Sequence, residues 1–513
     1  MSYFRCGRVT FNFPGKNFAA AIPHCRWVTS KSAQDFTCIP GPVSLPFVGN
    51  TYLYKLGIYS VFQYHKVLQT LHAKYGPVVR EKIGNRTIVH VFDPDDVKTV
   101  HSIDGKMPEV PPLQETTQIY RQKRNLSLGL GNTNGEEWYR LRKAVQQMMM
   151  RPKEVSHYLP LQDKVAQDLL KKIEKSLDSN NVISNIENII AKWSMESSGM
   201  VCFEKSLGCL DKNETTADRM IKANRDIFIL GGILKFALPI FKYIATPKWK
   251  KFLEAEDFFY QKATSYVDET VDEINKLVEA GQLKEDQYSF LAYLLSRKDL
   301  SRKDVNIITL SLFADGLSTT SPSLVFNLYC LAKNPDAQDR IYKDIMKNLP
   351  EDNRITAEAI NNFQLLKSAV KETFRLYPIG TETSRIVGKD TILGNYVIPA
   401  GTHVDLNQFV HFRSSKYFHN PEEFLPERWL REAQGTAINS AGMHPYLLIP
   451  FGHGTRMCAG RRFAEQDLYT SITRILQNYQ LELVDPSYNM EQSYQTLLVP
   501  KHPMLLRFIR RKQ

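Results

Sequence analysis

The residues best placed to do chemistry lie in Phe451-Gly452-His453-Gly454-Thr455-Arg456-Met457-Cys458-Ala459-Gly460, with Arg461 and Arg462 opening the apolar-periodic run that follows. One cysteine sits between glycines, two residues after an arginine, in a loop feeding a helix. A helix N-terminus and nearby cations favour thiolate over thiol, and the glycines let the backbone turn tightly and come close to a flat ligand. The alternative is a buried free cysteine that only packs. A second cluster is Ala314-Asp315-Gly316-Leu317-Ser318-Thr319-Thr320 inside a long helical stretch. Asp315 and Thr319 are four apart and so share a face, which puts a carboxylate beside a hydroxyl. A mid-helix Ser-Thr-Thr run also back-bonds to the preceding turn with no chemistry at all.

Three further spacings bear on the same question. Trp138 and Arg142 lie one turn apart near a helix start. Alone they read as a packed ring and a surface cation. Glu372 and Arg375 are three apart on one side of a helix, and a surface ion pair of that kind is worth under about 1 kcal/mol. Lys367 and Lys371, four apart on the same helix, are by themselves a solvated face.

These residues need elements to hold them. Gly135-Glu136-Glu137 opens a helix; Tyr158 to Leu277 is mostly amphipathic helix; Asp304 to Lys333 is the longest helical stretch. The helix from Phe363 is stopped by Pro378, and Phe463 to Tyr479 continues as a helix after the cysteine. Val78–Lys82 and Thr87–Phe92 read as paired strands with a turn at Asn85, and Thr391–Pro399 and Thr402–Asp405 as short strands. The fold class expected is mainly α with a smaller β region. The stretch from 108 to 134 is polar, proline-bearing and poor in helical pattern. Phe228 to Pro239 is nearly all apolar, and Phe241 to Phe252 mixes aromatics with lysines; such a segment either dips into a lipid interface or forms a buried helix hairpin.

The chain of 513 residues has 43% hydrophobic and 23% charged residues, the balance of a globular protein, and a net charge of +12. A basic balance suits an anionic membrane or an acidic partner; no arginine-rich tract, zinc-finger spacing or RNA-binding signature points to nucleic acid. Cys6, Cys25, Cys38, Cys202, Cys209, Cys330 and Cys458 are scattered and odd in number, which excludes a disulfide framework and suits a reducing compartment. Residues 1–34 carry Arg5, Arg8, Lys16, Arg26 and Lys31 with no acid, the composition of a mitochondrial transit peptide. Residues 35–513 are then one large domain. The apolar run Phe18 to Ile22 is far short of the ~20 residues of a membrane span.

Phe451, Gly454, Arg456, Cys458 and Gly460 match Phe-x-x-Gly-x-Arg-x-Cys-x-Gly, which resembles the heme-binding loop of the cytochrome P450 superfamily. The resemblance runs from about residue 39 to the end. It implies the cytochrome P450 fold, with heme b as cofactor and Cys458 as the axial thiolate of the iron, a ligand that favours cleavage of dioxygen. Trp138, Arg142, Arg385 and Arg456 are implied to hold the heme propionates, and Glu372, Arg375 and Arg428 to lock the side on which the thiolate rests. Asp315 to Thr320 is similar to the helix crossing the other face, where the family has Ala/Gly-Gly-x-Asp/Glu-Thr-Thr. There the glycine leaves room for dioxygen, and the acid and threonine pass protons. Gly316 and Thr319 match; Ser318 stands where the acid belongs, and Asp315 replaces a small residue, which suggests that the carboxylate has moved one turn. The segment 108–134, Ile379–Ser384 and Gln495–Val499 are implied to line the substrate pocket.

Leu365-Leu366-Lys367 and Lys371-Glu372-Thr373, with Arg461 and Arg462, are similar to the mitochondrial class. That implies docking of an acidic [2Fe-2S] ferredoxin, reduced by an NADPH-dependent reductase, on Lys367, Lys371, Arg461 and Arg462. It also implies a peripheral protein on the matrix side of the inner membrane that takes dioxygen and a lipophilic substrate. The expected function is hydroxylation of a sterol. The central helix is similar to arthropod enzymes that hydroxylate ecdysteroid precursors, at side-chain carbon 22. The rival expectations are a mitochondrial monooxygenase that detoxifies foreign compounds, a heme-thiolate isomerase or dehydratase needing no redox partner, and a heme sensor. The isomerase has no use for Thr319 or the basic patch.

Overall fold

The computed structural model describes residues 33–284, 288–431 and 443–512; most of the leader therefore lies outside the described residues. The most deeply buried long element is the helix Arg302–Lys333, which at 32 residues is one shorter than Pro247–Glu279, not the longest as expected. It starts at a complete capping box, in which Ser301 and Asp304 satisfy each other's backbone N–H groups, and Phe313, Leu317, Leu324, Phe326 and Leu331 on different sides of it are all buried. A helix buried on several sides belongs in the middle of a large core. Pro322 sits inside it and lacks the N–H that would bond the carbonyl of residue 318.

The helix Ile186–Phe203 packs directly on this central helix. Ser194 donates to the Gly316 carbonyl at 2.9 Å, and a Cβ at Gly316 would stand 2.3 Å from Ser198 Oγ. A larger residue at 316 would oblige the Ser198 hydroxyl to turn aside. The helices Leu159–Ser176, Glu214–Lys235 and Pro247–Glu279 complete the amphipathic region, and Gln364–Leu376 and Arg461–Asn478 close it from the other side.

A four-stranded sheet lies at one end, ordered Val78–Ile83, Arg86–Val91, His403–Leu406, Thr383–Ile386. The first pair is an antiparallel hairpin in register Val78↔Val91, as the alternation predicts; Gly84, with φ +58°, takes the left-handed position in its turn. The middle pair is parallel, Ile88↔His403. The stretch 108–134 departs from expectation: Glu115–Lys123 is a helix. Its own pattern is weak, and burial of Thr116, Thr117, Tyr120 and Arg121 supports it instead.

The segment from 228 to 252 divides between the two readings. Leu230, Leu234, Phe236, Phe241, Trp249 and Phe252 are buried, whereas Ile240, Tyr243 and Ile244 are exposed at a tip. Among the described residues no helix is long and apolar enough to cross a membrane.

Candidate active site

The cysteine loop is shaped by Gly452 and Gly454, both left-handed with φ +72° and +74°, and pinned by the Cys458 N–H donating to the Phe451 carbonyl at 2.8 Å. Phe451 packs edge-on against Phe374 of the helix Gln364–Leu376, with centroids 5.4 Å apart. The Cys458 side chain is exposed by surface area, yet burial is the main influence raising its pKa. Asp315 behaves alike: exposed by area, but with its pKa raised to about 6 by burial. Both statements hold if the two side chains line one internal cavity walled by protein. Across it the carboxylate raises the thiol's pKa, while the N–H groups of Gly460 and Arg461 and the Arg142 guanidinium lower it.

Three guanidiniums gather at the cavity's edge. Arg385 donates to Asp104 at 2.8 Å and approaches the His453 carbonyl at 3.4 Å. Arg456 stacks 3.9 Å over the ring of the buried Trp138 and donates to the carbonyls of Pro108 (2.9 Å) and Thr133 (3.0 Å). Its pKa is lowered to about 10, by burial first and then by Arg385 and Arg142. Arg142 reaches Met150 Sδ at 3.1 Å, and its buried Nε has no partner among the described residues. Buried cations of one sign call for counter-anions. An orphaned guanidinium nitrogen and a thiol beside an internal cavity fit a flat metal-bearing group with two carboxylates, such as heme b.

On the Cys458 side lies a saturated cluster. Glu372 Oε1 accepts from Arg375 Nη2 (2.7 Å), Arg428 Nε (2.9 Å) and the Leu425 N–H (3.0 Å). Its Oε2 accepts from Arg375 Nε and Trp429 Nε1, both at 2.9 Å. Arg375 also bonds the carbonyls of Phe412, Pro421 and Glu423. The pair treated above as a surface bridge is fully buried: the loop 412–429 wraps over it, which helical spacing alone does not reveal.

The surface cations near this cluster are partly engaged. Lys371 Nζ sits 4.1 Å over the Trp429 ring, and burial lowers its pKa. Lys367 donates to the Asn361 carbonyl at 2.9 Å. Arg461 pairs with Glu465 at 3.0 Å, and Arg462 donates to the Met150 carbonyl at 2.7 Å.

Opposite Cys458, Thr319 Oγ1 donates to the Asp315 backbone carbonyl at 2.7 Å, so its hydroxyl back-bonds to the helix and does not meet the Asp315 carboxylate there. Ser318 Oγ donates to Asn224 Oδ1 at 2.7 Å, tying the central helix to Glu214–Lys235. Sequence reasoning missed Asn224, Asp104 and Arg121. The first two carry no motif of their own; the third stands in a basic run with Lys123 and Arg124, and nothing in that run marks which of the three is buried.

Comparison with known proteins is consistent with this geometry. The family profile described as cytochrome P450 matches residues 39–508. A probable cytochrome P450 CYP44 of Caenorhabditis elegans is 41% identical over 95% of this chain and 97% of its own length. Cytochrome P450 10 of Lymnaea stagnalis is 33% identical, covering 93% and 86%. The mitochondrial 1,25-dihydroxyvitamin D(3) 24-hydroxylase of Mus musculus is 29% identical, covering 95% and 92%.

Proposed function

The chain belongs to the cytochrome P450 family of heme-thiolate monooxygenases, and on that premise we propose that it hydroxylates a sterol, drawing electrons from a mitochondrial [2Fe-2S] ferredoxin. The observation that carries the proposal is the glycine-shaped Cys458 loop, with the Asp315 carboxylate near enough to raise the thiol's pKa and the Arg142 guanidinium near enough to lower it. When bound there, heme supplies the activation of dioxygen.

The chain's own residues do the rest. Cys458 would hold the iron as its thiolate ligand; burial raises the thiol's pKa, and the N–H groups of Gly460 and Arg461 and the Arg142 guanidinium act against that rise. Trp138, Arg142, Arg385 and Arg456 would hold the propionates, with Phe451 and Gly460 shaping the loop. Asp315, whose pKa burial raises to about 6, is the acid of the distal face, and Thr319 passes its proton on once the threonine hydroxyl leaves the Asp315 backbone carbonyl that it bonds in this structure. Ser318, bonded to Asn224, keeps the helix in register and does not supply the proton. Glu372, Arg375 and Arg428 hold the thiolate's support rigid.

Several features favour the finer assignments. The relative from Mus musculus is named as mitochondrial and as acting on a hydroxylated vitamin D, residues 1–34 have the composition of a transit peptide ahead of a monooxygenase domain at 35–513, and Lys367, Lys371, Arg461 and Arg462 suit an acidic ferredoxin. The exposed Ile240, Tyr243 and Ile244 beside Lys242 and Lys248 suit peripheral contact with the inner membrane on its matrix side. The narrower substrate is an ecdysteroid precursor, attacked at side-chain carbon 22, on the likeness of residues 315–321.

The test is turnover of a radiolabelled sterol panel that includes ecdysteroid precursors, with mitochondrial ferredoxin, its reductase and NADPH, and a control without ferredoxin. Ferredoxin-dependent hydroxylation is expected, with Lys371→Glu slowing it about tenfold at low salt and less at high salt. Turnover without ferredoxin, or of no sterol, overturns the proposal.

A further inference from the structure

A buried polar cluster that the mechanism does not use sits in the four-stranded sheet. Glu81, His90, Asp405 and Asn407 each expose 1% or less of their surface. Both ring nitrogens of His90 face oxygens: Nε2 stands 3.1 Å from Glu81 Oε2, and Nδ1 stands 3.1 Å from Asn407 Oδ1. The Asn407 amide does not offer its nitrogen to the ring, because Nδ2 donates to the Thr381 carbonyl at 3.0 Å, and turning it would set two oxygens against each other. His90 Nδ1 must therefore donate. At Nε2 the proton has two seats, the ring and the carboxyl. An imidazole holds it more firmly than a carboxylate by about two units of pH, and Tyr54, donating to Glu81 Oε1 at 2.9 Å, favours the carboxylate further. The ring thus carries both protons, as a buried imidazolium.

The groups around the ring support that charge. Asp405 Oδ2 lies 4.0 Å from Nδ1, and Asp405 Oδ1 pairs with His403 Nε2 at 2.8 Å. Beyond them Lys235, at the end of Glu214–Lys235, pairs with Glu382 at 2.9 Å. Tyr54, Tyr64 and Tyr494 stay neutral, their pKa pushed above the ordinary 10 by burial first. Burial acts to lower the pKa of His90, but Glu81, Asp405 and Asn407 outweigh it and hold it above the ordinary 6.5.

What the cluster grips is one strand. Asn407 holds the Thr381 carbonyl, Asp405 accepts from Ser384 Oγ at 2.5 Å, and Thr383–Ile386 pairs along His403–Leu406. Arg385 belongs to that strand, and its Nη1 donates to the Ser384 carbonyl at 2.9 Å. Without the Nδ1 proton, lone pairs on Nδ1 and Asn407 Oδ1 would face each other, and the amide would turn and release Thr381.

We propose that His90 is a positioning residue: as a buried imidazolium it fixes the segment 381–386 through Asn407, and so sets Arg385 against a carboxylate of the heme. This rests on the reading of Arg385 as a heme partner, and not on the sterol reading.

The test uses the full heme-loaded chain, reduced and bound to carbon monoxide so that the iron is diamagnetic, with carbon-13 in its histidine rings. The signal missing from His90→Gln is that of His90. It is expected to be an imidazolium at about pH 7, where an ordinary histidine is mostly neutral; a neutral ring there overturns the proposal. The second readout is heme transfer to excess apomyoglobin. At about pH 7, His90→Gln, Asn407→Asp and Arg385→Gln are each expected to speed heme loss about tenfold. As pH rises through the value at which the ring signal titrates, the wild-type rate is expected to climb until its ratio to the His90→Gln rate nears one. A ratio that ignores pH makes the His90→Gln effect one of packing, and overturns the positioning role. If His90→Gln does not fold, Asn407→Asp decides, since it keeps the ring charged but drops the donor to Thr381: its displaced ring signal identifies His90, and an unchanged rate of heme loss overturns the proposal. If Arg385→Gln leaves heme loss unchanged, the reading of Arg385 fails by itself. Amide hydrogen exchange at 381–386 then decides for His90, faster exchange in Asn407→Asp upholding the clasp and equal exchange overturning it.

Discussion

The two walls of the internal cavity are built on opposite plans. Below Cys458, the Glu372 carboxylate receives five donors, and Arg375 spends its remaining N–H groups on the carbonyls of a single wrapping loop. Around Asp315, by contrast, the carboxylate keeps exposed surface and accepts no hydrogen bond among the described residues. A fully satisfied buried network is rigid, and a half-satisfied one costs stability. The molecule places the first where a ligand atom must not move and the second where a visitor must be received. Violations of local satisfaction concentrate at functional sites, and here they divide cleanly by side.

The hardest way to break this contrast is on the satisfied wall. Glu372→Gln removes the charge that two buried guanidiniums share, at a cost of about 3–5 kcal/mol. The expected result is loss of heme-loaded protein, read as the carbon monoxide complex and as thermal melting. A stable, heme-loaded Glu372→Gln would mean that the wall is not built as argued. On the open wall the same kind of change should spare the fold. Asp315→Ala is expected to lower product formed per oxygen consumed by about a hundredfold, with melting unchanged or slightly raised because a buried acid is gone. Equal coupling in variant and wild type would remove Asp315 from proton delivery.

The smallest effect sharpens the contrast from outside both walls. Asp467, on the helix that follows Cys458, accepts from Ser197 at 2.6 Å, and burial raises its pKa from 3.8 to about 7. Between those values the unfolded chain has lost a proton that the folded one keeps, so stability falls as pH rises. Asp467→Asn does not titrate. It is expected to match wild type below about pH 4 and to exceed it by on the order of 2 kcal/mol above pH 7, measured by denaturant unfolding across pH. A gain that shrinks with rising pH would reverse the sign argued here.

What the sequence made legible was local. The glycines of the cysteine loop, the proline stop at Pro378, the hairpin at 78–91 and the spacing of Asp315 from Thr319 each follow from a few neighbouring residues, and each stands in the structure. What it hid was distant. Asn224 finds Ser318, and Asp104 finds Arg385, across separations of 94 and 281 residues, and no periodicity marks them. The burial of Glu372 and Arg375 depends on a loop that begins beyond residue 411. The helix Glu115–Lys123 exists because its neighbours cover it, which propensity does not record.

The parallel pairing of Ile88 with His403 has a temporal side. The hairpin at 78–91 can form early, since its contacts are local, but its second strand keeps an open edge until roughly three hundred further residues have been made. At ordinary synthesis rates that wait is on the order of tens of seconds. During it the strand presents unpaired N–H and C=O groups, a template for wrong partners. The same edge reopens whenever the chain is threaded unfolded through a narrow passage, and it closes only when His403–Leu406 arrives. The vulnerable moment of this protein is therefore its assembly, at a seam far from where its chemistry is done.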